Sequence, residues 1–246
     1  MQLKTYMGVP ASPGSCVAEV FVVPPTELYL PEGLLDVDQV DHELDRLRTS
    51  IDEAIAEVNQ LKVEISTKLD RFEVSIFDAH LTILQDVASS KELKLMITVF
   101  RLPAERALKK LLDQLMLIFQ KMNNSYMQNR DLDLKDVFYR ILRRLIQMPQ
   151  FKLCEDIPSC ILVANEMLPS QIVNLNPNQI KGIILSRVGV ESHTAILARS
   201  LGIPMIVGVD NSYLQSLTLG MIIKMDGQTG SIDFETNGRK DDVTSR

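Results

Sequence analysis

The chain has 246 residues, is 46% hydrophobic and carries a net charge of −6, enough for one large domain or two small ones with real cores. The mild acidity argues against a nucleic-acid partner and suits a basic protein partner. Cys16, Cys154 and Cys160 are odd in number and form no Cys-x-x-Cys pair, which argues against a disulfide framework or a zinc site and for a reducing compartment. The polar start is unlike a signal peptide and no apolar run reaches transmembrane length, so a soluble cytoplasmic protein with no membrane partner is expected.

Residues 1–30 read as β-structure. Cys16–Val23 is rich in β-branched residues and stops at Pro24-Pro25, and Ala11-Ser12-Pro13-Gly14 is a turn. Pro24–Gly33 suits a crossing between subdomains. From residue 36 the pattern changes. Val40, Leu44, Leu47, Ile51, Ala54, Val58, Leu61, Ile65 and Leu69 alternate three- and four-residue steps, the stripe of a long amphipathic helix. Further helices are predicted over Val74–Val87, over Lys91–Phe100 and from Pro103 to about Met122, where Asn123-Asn124-Ser125 breaks the pattern. A last helix has Leu134, Val137, Phe138, Ile141, Leu142, Leu145 and Ile146 on one face and ends at Pro149. There is no glycine between Leu34 and Lys181, which fits an antiparallel helical bundle. Strands follow at Cys160–Ala164, Ile183–Leu185, Met205–Val207, Met221–Lys224 and Ser231–Phe234, with a short helix over Pro169–Leu175. Asp226-Gly227 and Gly230 suit a hairpin turn between the last two strands. The amino-terminal strands have no other sheet to join. The expected architecture is therefore a discontinuous α/β domain (residues 1–33 and 149–236) interrupted by an all-α bundle (34–148), with 237–246 as a linker or the start of a further segment.

Gly182–Val209 concentrates the chemistry. It reads as strand, loop, short helix, turn and strand. Ser192 is a good N-cap, which puts His193 at the first or second helical position, and Gly202 and Pro204 end the helix. A histidine there stands beside unpaired backbone N–H groups and the positive end of a helix, an environment for anions such as phosphate. A lone histidine at a helix start is also commonly a solvated or capping residue.

The stretch Ser192-His193-Thr194-Ala195-Ile196-Leu197-Ala198-Arg199-Ser200-Leu201-Gly202-Ile203-Pro204 resembles the phosphohistidine signature of the phosphoenolpyruvate-utilising enzymes, and more closely that of the Enzyme I family of the bacterial phosphoenolpyruvate:sugar phosphotransferase system. Four more segments agree in order: Gly8–Gly14, Ile76–Leu81 with His80, Arg130–Val137 and Pro169-Ser170. The likeness covers the family's amino-terminal half. It implies a swivelling phosphohistidine α/β domain with the bundle inserted, a phosphorylatable His193, and docking of the phosphocarrier protein HPr on the bundle, with Arg130 and His80 as candidate contacts. It places phosphoenolpyruvate binding, Mg²⁺ and homodimerisation in a carboxy-terminal barrel, and implies a monomer with no cofactor for the present piece. Such a piece exchanges phosphate with HPr and does not take it from phosphoenolpyruvate.

A phosphoryl carrier needs a nucleophile that is unprotonated near neutral pH, and imidazole meets this with a reference pKa of about 6.5. One ring nitrogen attacks; the other holds its proton against an acceptor. Backbone N–H groups of Thr194 and Ala195, the Thr194 hydroxyl, Ser192 and Gly189 are the near candidates to surround the phosphoryl oxygens. Arg199, six residues on, is expected to bind a helix C-terminal carbonyl or an acidic neighbour. His80 is expected to be packed or at an interface, His42 solvated. Arg130, Asp133 and Asp136 read as a helix start with its acidic first turn, or by resemblance as part of the docking face. Three residues depart from the family's pattern. Val188 replaces one of two glycines, Glu191 adds a negative charge near the phosphate, costing roughly 1 kcal/mol, and Leu168 replaces a threonine whose hydroxyl can orient the histidine. Two functions follow: a working phosphocarrier half, or a carrier-docking regulatory module with weak or no transfer. The swivelling domain of a dikinase or a phosphoenolpyruvate synthase fits less well, given the inserted bundle and Ser192.

Overall fold

The computed structural model describes residues 2–24, 30–121, 130–148 and 159–236. Its strands are β1 (Gln2–Met7), β2 (Val9–Ser12), β3 (Ser15–Val22), β4 (Cys160–Ala164), β5 (Ile180–Leu185), β6 (Met205–Val207), β7 (Ile222–Asp226) and β8 (Ser231–Thr236). Its helices are α1 (Val40–Ile65), α2 (Arg71–Ser89), α3 (Lys91–Thr98), α4 (Ala104–Lys121), α5 (Asp131–Leu145), α6 (Pro169–Val173), α7 (His193–Ser200) and α8 (Asn211–Leu214). The Asn123–Ser125 break, the stop at Pro149, Cys154 and the segment after residue 236 lie outside the described residues.

All eight strands belong to one mixed sheet in the order β1-β8-β7-β3-β4-β5-β6-β2. β3, from before the helices, pairs in parallel with β4, from after them, with Glu19 opposite Cys160 and Val22 opposite Val163. Helices α1–α5 are thus an excursion between two neighbouring strands. β4 is buried along its whole length, as expected for a strand covered on both faces. The β7–β8 hairpin turns on Asp226, whose carboxylate accepts from the Gln228 and Thr229 amides. Gly230 at φ +80° closes it, where an added Cβ would lie 2.3 Å from the Gly8 carbonyl oxygen.

The stripe on α1 is buried at Leu47, Ile51, Ala54, Val58, Leu61 and Ile65. The helix stops at Ile65, so Leu69 packs against the core from the following turn rather than from the helix. α1 packs on α2 and α5, and α4 on α5 and α3. Two charged clusters pin the bundle. Glu57 on α1 receives Arg143 and Arg144 at 3.0 and 2.6 Å and also pairs with Arg140. Glu43 on α1 accepts from the first amide of α4, Ala104, at 2.6 Å and from Arg46 at 2.8 and 2.9 Å. Arg46 in turn reaches Glu105 at 2.8 Å and the Leu145 carbonyl at 3.1 Å. A side chain of one helix therefore caps another. No described helix is long and apolar enough to cross a membrane.

Burial would push the Glu43 carboxyl up, but the bonds from Arg46 and Ala104 outweigh it and hold the group below its ordinary value of 4.5. Stabilisation from a depressed carboxyl is complete above that ordinary value and disappears as the pH falls through the folded-state value. Glu43→Gln is expected to cost about 2 kcal/mol at pH 7, with the gap to the parent narrowing below pH 4.5, as read by urea denaturation across pH.

Candidate functional site

The site is assembled where the bundle meets the sheet. Ser192 caps α7 in an extended conformation, and its hydroxyl accepts from the Ala195 amide at 3.2 Å. His193 is the first residue of the helix. The loop before it is tied at three points: the Arg187 amide to the Asn165 carbonyl, the Ser192 amide to the Gly189 carbonyl, and Arg199 to the Val190 carbonyl at 3.2 Å. Arg199 also donates twice to the Ala11 carbonyl, at 2.7 and 3.1 Å. It binds carbonyls, but those of β2 and of the loop, not of a helix C-terminus or an acidic neighbour.

The decisive partner comes from α5. Asp133 is 1% exposed; its Oδ1 lies 3.0 Å and its Oδ2 2.8 Å from Nδ1 of His193. A carboxylate only accepts, so Nδ1 is the donor and the lone pair of the neutral ring sits on Nε2. The histidine side chain keeps 18% of its surface open to solvent. Burial would raise the Asp133 carboxyl, but hydrogen bonds from His193 and His80 more than offset it and hold the group below the usual carboxylate range. Asp133 stays charged through neutral pH.

The same seam carries further bonds. Asp136 accepts from the Ser170 amide at 2.7 Å and its hydroxyl at 2.8 Å, at the start of α6. Lys135 meets Glu166 at 2.7 Å, and Ser200 donates to Glu73 at 2.6 Å. Beside the loop, Asp131, Leu132, Ser186, Arg187, Val188, Gly189 and Ser192 line a cleft of about 290 Å³. Burial pushes the Asp131 carboxyl up, opposed by Lys135 and assisted by Glu166 and Asp133.

The structure places Gly189 in the loop before His193, buries Ser192 with its hydroxyl engaged as the cap, and turns the side chains of Thr194 and Ala195 inward. Thr194 is fully buried, and its hydroxyl donates to the Met167 carbonyl at 2.9 Å. The Ala195 amide is taken by the Ser192 cap. The Thr194 hydroxyl and the Ala195 amide are thus engaged in building the helix start. His80 has no exposed surface, so it does not present a face to a docking partner. It lies behind Asp133, with Nε2 3.5 Å from Oδ1. Arg130 stands half-buried at the N-cap of α5. Val188 is buried, and Arg101 and Gln147 are the non-glycine residues of positive φ among those described. The valine therefore sits on ordinary backbone, and the loop does not need the freedom of a second glycine there. Glu191 is exposed. Leu168 packs half-buried against the core, and its amide donates to the Gln171 side chain.

Asp133 and Asp136 are not a solvated first turn, as the sequence reading allowed. A signal was present: Asp133 falls on the same α5 stripe as Val137 and Ile141, and His80 lies between Phe77 and Leu84 on α2. Charged or polar residues on a buried stripe require partners. The pairing across 60 positions had no local signature. Among the described residues, no group of three or more His, Cys, Asp or Glu side chains is arranged to hold a metal ion.

Residues 7–130 match the family described as PEP-utilising enzyme, N-terminal, and residues 157–230 match PEP-utilising enzyme, mobile domain. The chain is 30% identical over 234 residues to the phosphoenolpyruvate-protein phosphotransferase of Mycoplasma capricolum, covering 95% of this chain and 40% of that protein. It is 30% identical to that of Listeria monocytogenes, covering 93% and 40%. It spans about two fifths of the length of these curated relatives. The solution structure of Enzyme I (nEIt) superimposes with a TM-score of 0.70 at 25% identity, over 95% of this chain and 94% of that one. A nitrogen Enzyme 1 N-terminal domain shares the fold at a TM-score of 0.57 and 24% identity. With both halves of the sequence and the whole fold in agreement, the chain belongs to the phosphoenolpyruvate-utilising enzymes, as an amino-terminal domain of the Enzyme I type.

Proposed function

We infer that this chain is the phosphoryl-carrying half of a phosphoenolpyruvate-protein phosphotransferase, and that Nε2 of His193 accepts and donates the phosphoryl group. The observation that carries this reading is the Nδ1–Asp133 contact at the start of α7. Asp133 holds the ring in one tautomer and directs the lone pair of Nε2 away from the carboxylate. In the forward step, the Nε2 lone pair attacks phosphorus and the donor oxygen or nitrogen departs with the bonding pair. The imidazole then keeps its Nδ1 proton, and the positive charge that develops on the ring faces Asp133. Return transfer reverses these movements. Mg²⁺, implied by resemblance for the whole enzyme, has no ligand set among the described residues.

The phosphoryl partner is the phosphocarrier HPr, with the surface of the helical bundle, including Arg130, as its docking face. Phosphoenolpyruvate enters through the carboxy-terminal segment that the relatives possess and this chain does not span. The alternative, a docking module without transfer, draws on the three departures at Val188, Glu191 and Leu168. Val188 is accommodated on ordinary backbone, and Asp133 supplies an acceptor for the ring where Leu168 cannot, which favours a working carrier.

Incubation with phosphorylated HPr is expected to place acid-labile phosphate on His193, and His193→Ala to take none; a parent chain that acquires no phosphate overturns the reading. Asp133→Asn, which no longer fixes the tautomer by charge, is expected to slow single-turnover transfer on the order of 10²-fold or more with the fold retained by circular dichroism. Leu168→Thr is expected to change that rate by less than about threefold, because Nδ1 already has its acceptor.

A further inference from the structure

His80 takes part in no step described above, yet it is built into the site. Its side chain is fully enclosed on α2 and meets Phe77 edge-on, with ring centroids 5.1 Å apart. Its Nε2 points at Oδ1 of Asp133, the oxygen that also accepts from His193. Its Nδ1 is buried with no hydrogen-bond partner. Since the carboxylate can only accept, Nε2 carries the proton. A charged His80 would bury an unpaired N–H, whereas a neutral ring leaves only an unfilled lone pair. The enclosed imidazole is a donor to Asp133.

We propose that His80 is a positioning residue that, by sharing Asp133 with His193, lowers the proton affinity of the His193–Asp133 pair and keeps His193 in its neutral, nucleophilic form. This rests on the reading of His193 as the phosphoryl acceptor. A carboxylate that accepts from two donors is less basic than one that accepts from a single donor. Without His80, the whole charge of Asp133 acts on His193. The pair then takes up its proton at higher pH, whichever member holds it. The other charged groups on the elements that meet at the pair include Asp131, Lys135, Asp136 and Arg140 on α5, Glu166 before α6, Arg187 and Glu191 in the loop before α7, Arg199 on α7, and Glu73 on α2 held by Ser200. They are the same in every variant below, so a shift is assignable to His80.

The test is a pH titration of the ¹⁵N-labelled chain, following the ring nitrogens by NMR in the parent, His80→Met and His80→Gln. In the parent, His80 is expected to carry its proton on Nε2 with Nδ1 bare from about pH 6 to about pH 8. A proton found on Nδ1 instead, or a His80 that titrates in this range, overturns the proposal without any variant. In His80→Met the His193 midpoint is expected to rise by about one pH unit, and in His80→Gln, whose amide donates, to return most of the way. An unchanged midpoint in folded His80→Met, or equal midpoints in the two variants, also overturns it. Should His80→Met fail to fold, the parent's tautomer decides. Transfer from phosphorylated HPr is measured beside these. Parent chains that take no phosphate while the midpoints shift as expected remove the phosphocarrier reading and leave the effect of His80 on the pair standing.

Discussion

A carboxylate buried between a helical bundle and a sheet must be paired, and the pairing of Asp133 organises this molecule. The cost of leaving such a charge without partners is several kcal/mol. Asp133 meets that demand by accepting from one histidine of each subdomain, His80 on α2 and His193 on α7. The contact that stabilises the seam is therefore also the contact that orients the His193 ring. Asp136 repeats the arrangement one turn further along α5, at the start of α6. Lys135–Glu166 and Glu73–Ser200 add bonds between the same two bodies. The active loop is held by the bundle, not by its own backbone alone.

This division of labour accounts for the departures from the family's pattern. A loop that relied on glycine flexibility and a threonine hydroxyl would be weakened by Val188 and Leu168. Here both side chains pack into the interior, and the polar work falls to Asp133. Thr194 and Ala195 serve the start of α7 through Met167 and Ser192. Arg199 secures the loop from behind by holding carbonyls of β2 and Val190. The helix start is thereby fixed while the side chain of His193 stays partly open to solvent.

Much of the architecture was legible in the sequence because it rests on local periodicity. The three-and-four stripe of Leu47–Ile65 reads as a helix with a buried face, and Ser192, Gly202 and Pro204 delimit α7. The β-branched runs read as strands, and the return to strand character after the helices implied a split sheet. Helix ends were less certain: Leu69 continues the α1 stripe but belongs to the next turn, where the backbone has already left the helix. The position of His193 at the first turn of α7 was legible too, from its place after an N-cap serine.

What the sequence by itself determined is the kind of most elements and the place of His193 at the start of a helix, since both follow from neighbours within a few residues. The tertiary structure alone decided which groups surround that residue. Asp133 is 60 positions from His193, and His80 is 53 from Asp133. An acidic residue in the first turn of a helix has a sufficient local explanation in the helix dipole. Only the docking of α5 beside α2 and α7 makes that carboxylate buried and paired with two histidines. Hydrogen-bond partners across a seam are set by where whole elements dock, and no local pattern encodes that.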